Sequence, residues 1–312
     1  MSAAWVAGAV RARALTVRCP GAGGAREIAA CSSLDEALRR LGGTPYGRYT
    51  REAAGLPEAQ RAVSATLLWH LRVLAGWLPR AGARLLVPLV SGFEIANVVA
   101  RLSPEQPEHP AQQGRVPPYR LGALETAWRR LDEAVTPAEL RAVLAASPWG
   151  DPGGDTPWAV VTGMRMAAAR RTGLAVPQAR GWAVARAALL TAREVFVHGR
   201  SLPEPVRRDA ARLLGARAPT AASYQEFRDG LPVPARRLLT GVEDPAGLWR
   251  AEAGWWRTLR DDGAALLRDG RPGPGVVVGA VALLSVDAWR VRAALESAAR
   301  GGRLGEAFDA LA

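Results

Sequence analysis

A hydroxyl residue, a carboxylate three positions on, an apolar residue and then a hydroxyl-Pro-aromatic-Gly ending occur twice in this chain in one ungapped register. Ser33, Glu36, Leu41, Thr44, Pro45, Tyr46 and Gly47 fall, 103 positions later, on Thr136, Glu139, Leu144, Ser147, Pro148, Trp149 and Gly150. The front half reads as a capping box: the Ser or Thr side chain accepts from the third helical N–H, and the Glu reaches back. The back half reads as a Pro-initiated stop after a two-turn helix, with the aromatic ring packed inward. A fainter third copy starts at Ser223, with Glu226, Phe227 and Leu231 in register, and lacks the hydroxyl-Pro-aromatic ending. A motif returning at a long fixed period is one structural unit used several times. The chain is therefore divided into helical units 1–112, 113–201 and 202–312.

At 312 residues the chain is long enough for two or three compact units of roughly a hundred residues each. Ala, Leu and Arg dominate, whereas Tyr and Phe number only four each, and Gly and Pro cluster between helix-like runs. The expected fold class is all-α: three similar helical units arranged with approximate rotational symmetry. Helices are expected over 5–16, ended by the Pro-Gly run 20–24, and from Leu56 onward, with Val63, Leu67, Leu71, Leu74 and Leu78 on one face. One helix is expected over 84–102, with Pro88 near its first turn or at a kink. Residues 103–118 read as a solvated connector, in which Glu105, Glu108 and His109 are held extended. Beyond it, helices are expected over 121–134, 157–171, 177–198, 245–267 and 276–299.

The formal charge is +12, and all 41 basic residues are Arg, since the chain contains no Lys. Such a charge favours acidic partners, whether a protein surface, anionic headgroups or phosphate backbones. A lysine-free, Ala-rich composition is also what a GC-rich genome produces, which weakens charge as a sign of nucleic-acid binding. Cys19 and Cys31 are too few for a disulfide framework or a zinc site and point to a reduced, cytoplasmic compartment. The apolar N-terminus runs into Arg11 and Arg13, the reverse of the order in a secretory signal. The longest uncharged apolar run, 276–286, is shorter than the roughly 18 residues of a spanning helix, so a soluble protein is expected.

Chemistry-bearing patterns are sparse. Gly273, Gly275 and Gly279 are spaced G-x-G-x-x-x-G with no strand before them, which fits a helix start rather than a dinucleotide loop. A P-loop needs the Lys that this chain lacks. His70, His109 and His198 stand alone, and the adjacent acids Asp35-Glu36, Asp132-Glu133 and Asp261-Asp262 point to different sides of a helix, so they read as caps and solvated faces. No catalytic residue, metal site or cofactor is expected. The eleven Trp residues are assigned to packing. The densest basic cluster is Arg165, Arg170, Arg171 and Arg180, the candidate partner interface, beside Met164 and Met166.

Particular stretches resemble the C/d family of V-type ATPase subunits, the rotor adaptors of V/A-type ATPases. The aromatic-then-Arg run 5–15, the segment from Glu36 to Tyr46, and Gly92-Phe93-Glu94-Ile95-Ala96-Asn97-Val98-Val99-Ala100-Arg101 are similar to the family's first unit. Ser147-Pro148-Trp149 resembles the stop of the second, Ser223-Tyr224-Gln225-Glu226-Phe227 the opening of the third, and 275–299 the closing helix. Asp287-Ala288-Trp289 stands where that helix is expected to be led by Glu. The resemblance implies a funnel of three helical units that seats the soluble central axle on the membrane proteolipid ring and couples the two for proton or sodium transport. It implies no catalytic residue, cofactor, nucleic acid or small-molecule substrate, and a peripheral place on the cytoplasmic side of the membrane. The competing expectation, from charge, is a basic α-helical nucleic-acid-binding or regulatory protein.

Overall fold

The computed structural model describes residues 2–103 and 117–302. Glu105, Glu108 and His109 lie outside the described residues. Every regular element among the described residues is helical, so the protein is all-α. Contacts divide it into two compact units, one of residues 1–86 with 252–312 and one of residues 87–251. These boundaries differ from the sequential cuts at 112 and 201, because the C-terminal helix packs on the N-terminal ones.

The discontinuous unit contains α1 (Ala3–Val17), α2 (Gly21–Ala29), α3 (Leu34–Leu41), α4 (Gly47–Thr50) and α5 (Leu56–Trp77). It continues into α6 (Arg80–Leu89) and takes up the chain again in α15 (Leu248–Arg268) and α16 (Pro274–Ala299). α16 is the centre: α1, α2, α3 and α5 all pack on it. Its sequence is mostly apolar, as a largely buried helix requires, and Val276, Val277, Val278, Leu284, Val291 and Leu295 are buried. Among the described residues this is the one helix long and apolar enough to cross a membrane by composition, and 72% of its most apolar window is buried inside the protein. The α5 positions Val63, Leu67, Leu71 and Leu74 are all buried, as their spacing predicts, and so is Leu78, the extended residue just after the helix.

The second unit holds α7 (Ser91–Leu102), α8 (Trp128–Glu133), α9 (Pro137–Ala145), α10 (Pro157–Ala175), α11 (Arg180–Ala192), α12 (Glu204–Leu214), α13 (Tyr224–Asp229) and α14 (Val233–Leu238). Its core is the α10–α11 pair, against which α7, α12 and α14 pack. Met164 and Met166 belong to that core.

The structure corrects several expected elements. The helix over 84–102 is two helices: Pro88 brings no N–H near the end of α6, and Ser91 Oγ donates to the Pro88 carbonyl at 2.7 Å as α7 begins. The run 20–24 does not stay unstructured after α1. Gly21 takes a left-handed φ of 67° and opens α2, and Gly24 N–H donates to the Pro20 carbonyl at 3.2 Å. Residues 121–134 form a single 3-10 turn, Gly122–Leu124, and then α8, because a carboxylate claims the N–H groups of Thr126 and Ala127. The helix expected over 177–198 becomes a 3-10 turn, α11, and one π-helical turn, Arg193–Val197. The short helices α4 and α14 carried no periodic signal of their own.

The three caps form as the repeat predicts, with one refinement. Ser33, Thr136 and Ser223 each accept from the N–H of the Glu three positions on, at 3.3, 3.2 and 3.1 Å. Each Glu reaches back to the residue before the cap, taking the N–H of Ser32, Val135 and Ala222 at 2.9, 2.7 and 2.9 Å. In the second copy Glu139 also takes the N–H of Thr136 itself. These N–H donors hold the Glu36 and Glu139 carboxyls below the usual range.

Gly279, the last of the spaced glycines, is a packing residue. A Cβ there would stand 2.6 Å from Leu267 Cδ1 and 2.7 Å from the Gly263 carbonyl. Gly279→Ala is expected to destabilise the protein by about 1–3 kcal/mol through overpacking. Gly23→Ala, in α2 with nothing within 4 Å of the added carbon, is expected to stabilise it by about 0.4–1 kcal/mol. Urea midpoints of the two variants, moving in opposite directions from wild type, check the pair.

Candidate functional site

Both hydroxyl-Pro-aromatic-Gly stops fold alike. Thr44 and Ser147 donate their hydroxyls to the carbonyls of Leu41 and Leu144, each at 2.8 Å, and accept from the N–H of Tyr46 and Trp149, each at 3.2 Å. The closing turns repeat as well, with Gly47 and Gly150 N–H donating to the Thr44 and Ser147 carbonyls at 3.0 and 3.1 Å. The glycines serve different ends. A Cβ on Gly47 would sit 2.5 Å from the Gly42 carbonyl, whereas Gly150 has space but needs a φ of 81°.

Each stop delivers its aromatic ring, only 2% exposed, to a buried carboxylate on another helix. Tyr46 Oη donates to Asp287 Oδ2 at 2.7 Å, and Trp149 Nε1 donates to Glu94 Oε1 at 2.7 Å. The remaining acceptors are taken by backbone. Gly21 N–H meets Asp287 Oδ1 at 2.8 Å, and the N–H groups of Thr126 and Ala127 meet Glu94 at 2.6 and 2.9 Å. A third buried acid, Glu194 in the π-helical turn, accepts from Trp158 Nε1 at 2.6 Å and lies 3.6 Å from Arg200 Nη1. A buried carboxylate left without donors would cost several kcal/mol, and these three have them.

On α7 the polar residues share one face, at positions i, i+3 and i+7. Glu94 binds as above. Asn97 exchanges two hydrogen bonds with the backbone of Tyr119, at 3.0 and 2.7 Å, and Arg101 Nη1 donates to the Asp132 carbonyl at 2.7 Å. This face thus fixes the segment 119–132, from the loop into α8, against the helix.

Burial pushes the Asp287 carboxyl above its ordinary value, and the bonds from Tyr46 and Gly21, the adjoining Cys19 thiol and the nearby Arg290 pull it back. Burial beside Asp287 raises Tyr46 well above the usual phenol range and raises Cys19 likewise. Burial also lowers Arg171, against the attraction of Glu94. The arrangement is a set of structural pins: the acceptor oxygens are engaged by the protein's own donors, and the Cys19 thiol is held in its unreactive protonated form. Among the described residues no three His, Cys, Asp or Glu side chains come together as a metal site.

The four candidate arginines do not form one surface. Arg170 pairs with Asp209 at 2.9 Å. Arg171 is drawn inward, its guanidinium 4.8 Å from the centre of the Trp149 ring, with Nη2 donating to Thr126 Oγ1 at 2.9 Å and Nη1 buried without a partner. Arg165 and Arg180 are exposed on α10 and at the start of α11. α10 thus carries Arg165 outward and Arg171 inward, and Arg180 stands apart from them at the start of α11. The buried acids were not singled out as acceptors from sequence. The available signal was an acid set within a mostly apolar helical run, at Glu94, Glu194 and Asp287.

A scan against family models finds no match to this chain, and a search of curated proteins finds none either.

His70, on α5, is buried, with its ring 5.2 Å from that of Trp69. Burial, with Arg11 and Arg18 nearby, lowers its pKa to about 4. The folded state therefore favours neutral His70, and this contribution is complete above pH 6.5 and lost as pH falls toward about 4. Between these limits one extra proton on the unfolded chain costs up to about 1.4 kcal/mol per pH unit. Unfolding free energies of His70→Leu should accordingly fall less steeply than wild type over this interval; parallel slopes would show that His70 does not titrate differently on folding.

Proposed function

We propose that this protein is a non-catalytic central-rotor subunit of a V/A-type ATPase or synthase, coupling the soluble axle to the membrane proteolipid ring for proton or sodium transport. One observation carries the reading: four of the six stretches that resemble the rotor-adaptor family are bonded to one another, in two pairs. Tyr46, ending the segment that begins at Glu36, is pinned to Asp287 in the closing helix, and Trp149, ending the second stop, is pinned to Glu94 within the segment Gly92–Arg101. Loose motifs scattered through a chain have no reason to meet in this way unless they belong to one architecture.

The chemistry of the pins suits such a task. A part that transmits torque has to resist local opening, and a short helix capped at one end and anchored at the other by a hydrogen bond to a buried carboxyl opens only by leaving that carboxyl buried without its donor. The Asp at position 287, in place of the expected Glu, accepts from Tyr46 Oη on one oxygen and from the first N–H of α2 on the other. In this reading the three capped helices mark three related units of a funnel, seated peripherally on the cytoplasmic side through contacts with the ring and the axle. The surplus of Arg steers assembly onto acidic protein surfaces.

Membranes carrying the rotary complex provide the test. After the soluble ATPase head is stripped off, the protein is expected to remain with proteolipid-containing membranes and to withstand nuclease and moderate salt. Recovery free of the ATPase, with retention on DNA or RNA that falls steeply with salt, would instead identify a phosphate-binding protein.

A further inference from the structure

The third copy of the repeat ends differently, and its ending lies at the surface. At the same remove from the cap as Tyr46 and Trp149, Ser223 is followed by Arg236, and Gly47 and Gly150 are matched by Arg237. No stop forms there: the chain runs on through α14, burying Ala235 and Leu239 and leaving Arg236 and Arg237 exposed. α14 packs on α11, with Pro234 Cβ 3.9 Å from where a Cβ on Gly181 would be, which brings the two arginines to the end of α11 that carries Arg180. Leu174, 73% exposed, closes α10 just before the turn into α11, and Val233, 48% exposed, opens α14.

We propose that this end of the α10–α11–α14 group is a docking surface for an acidic, apolar-striped helix of a protein partner. Resting on the rotor reading, that helix belongs to the foot of the central axle. Charge complementarity carries the choice. No Asp or Glu occurs from residue 156 to 193 or from 230 to 242. Among the described residues Arg180, Arg236 and Arg237 have no carboxylate partner. Three exposed guanidinium forks, each suited to bidentate contact with a carboxylate, thus share this end of the helix group with two exposed aliphatic side chains. Leu174 and Val233 ask for an apolar counter-surface that short polar loops or a phosphate backbone do not offer. A helix with an apolar stripe between flanking acids satisfies both groups.

The test uses the whole protein and two purified probes from the same rotary complex, the helical axle protein and the proteolipid ring, with affinity measured at several salt concentrations. Replacing Arg180, Arg236 and Arg237 together by Glu is expected to weaken binding to the axle about a hundredfold and to leave binding to the ring unchanged. Replacing all three by Gln should weaken it about tenfold with a flatter salt dependence, and Arg129→Glu, on α8, should have no effect. Circular dichroism and urea midpoints establish that each variant is folded; should the Glu variant unfold, the Gln variant and Leu174→Ser carry the comparison. Axle binding by wild type and variants alike would overturn the docking surface while leaving the rotor reading intact. Wild-type protein that binds neither probe would overturn both. Dependence on the same arginines for phosphatidylglycerol vesicles or duplex DNA, with no competition by the axle protein, would assign the surface to phosphate rather than to a protein helix.

Discussion

A carboxylate inside an apolar helix dictates the surroundings it must have. Desolvation penalises the charge by several kcal/mol unless donors replace the lost water, so Glu94 and Asp287 each require a group that reaches in from elsewhere in the chain. The stops at Tyr46 and Trp149 are those groups. A rigid ring with one donor at its far edge brings a hydrogen bond into the core and fills the volume around it. Each pin therefore fixes three things together: the rotation of the carboxylate-bearing helix, the depth of the capped helix, and the path of the backbone that supplies the remaining N–H donors. In the second unit that backbone is Thr126–Ala127, and its irregular course follows from serving Glu94 rather than continuing a helix.

The third copy shows what the pin contributes by lacking it. Its cap is intact, with Ser223 and Glu226 bonded as in the other two, and Phe227 and Leu231 are buried. Beyond the cap there is no aromatic donor, and the acid that would match Glu94 and Asp287 is satisfied by other means. Glu194 takes its bond from Trp158 on α10, with Arg200 lying 5.6 Å over that indole, and the helix bearing it relaxes into a π turn. The Phe196 ring meanwhile packs on Tyr224 and Phe227. Freed of a burial role, the positions that follow carry arginine.

Much of this was legible in the sequence. The all-α class, the three caps, the inward rings at Tyr46 and Trp149 and the buried face of α5 all follow from local pattern, because caps, turns and amphipathic spacing act over a few residues. What local pattern could not supply was the partner of each ring: Tyr46 and Asp287 meet only because the C-terminal helix returns to the N-terminal unit. The same gap explains the elements misplaced at 84–102 and 121–134, where a long-range carboxylate or a side chain bonded to the Pro88 carbonyl outweighs propensity. It explains the basic cluster too, since Arg171 is claimed by Trp149 and Thr126 while its neighbour Arg170 is claimed by Asp209.

Whether ring and carboxylate act as a unit is measured directly by a double-mutant cycle. Unfolding free energies of Trp149→Phe, Glu94→Gln and the double variant should reveal a coupling of about 1.5–3 kcal/mol, the range of a hydrogen bond to a charged group. Effects that add to within about 0.5 kcal/mol would mean that the indole and the carboxylate are held independently, and the pin would not be what positions the capped helix.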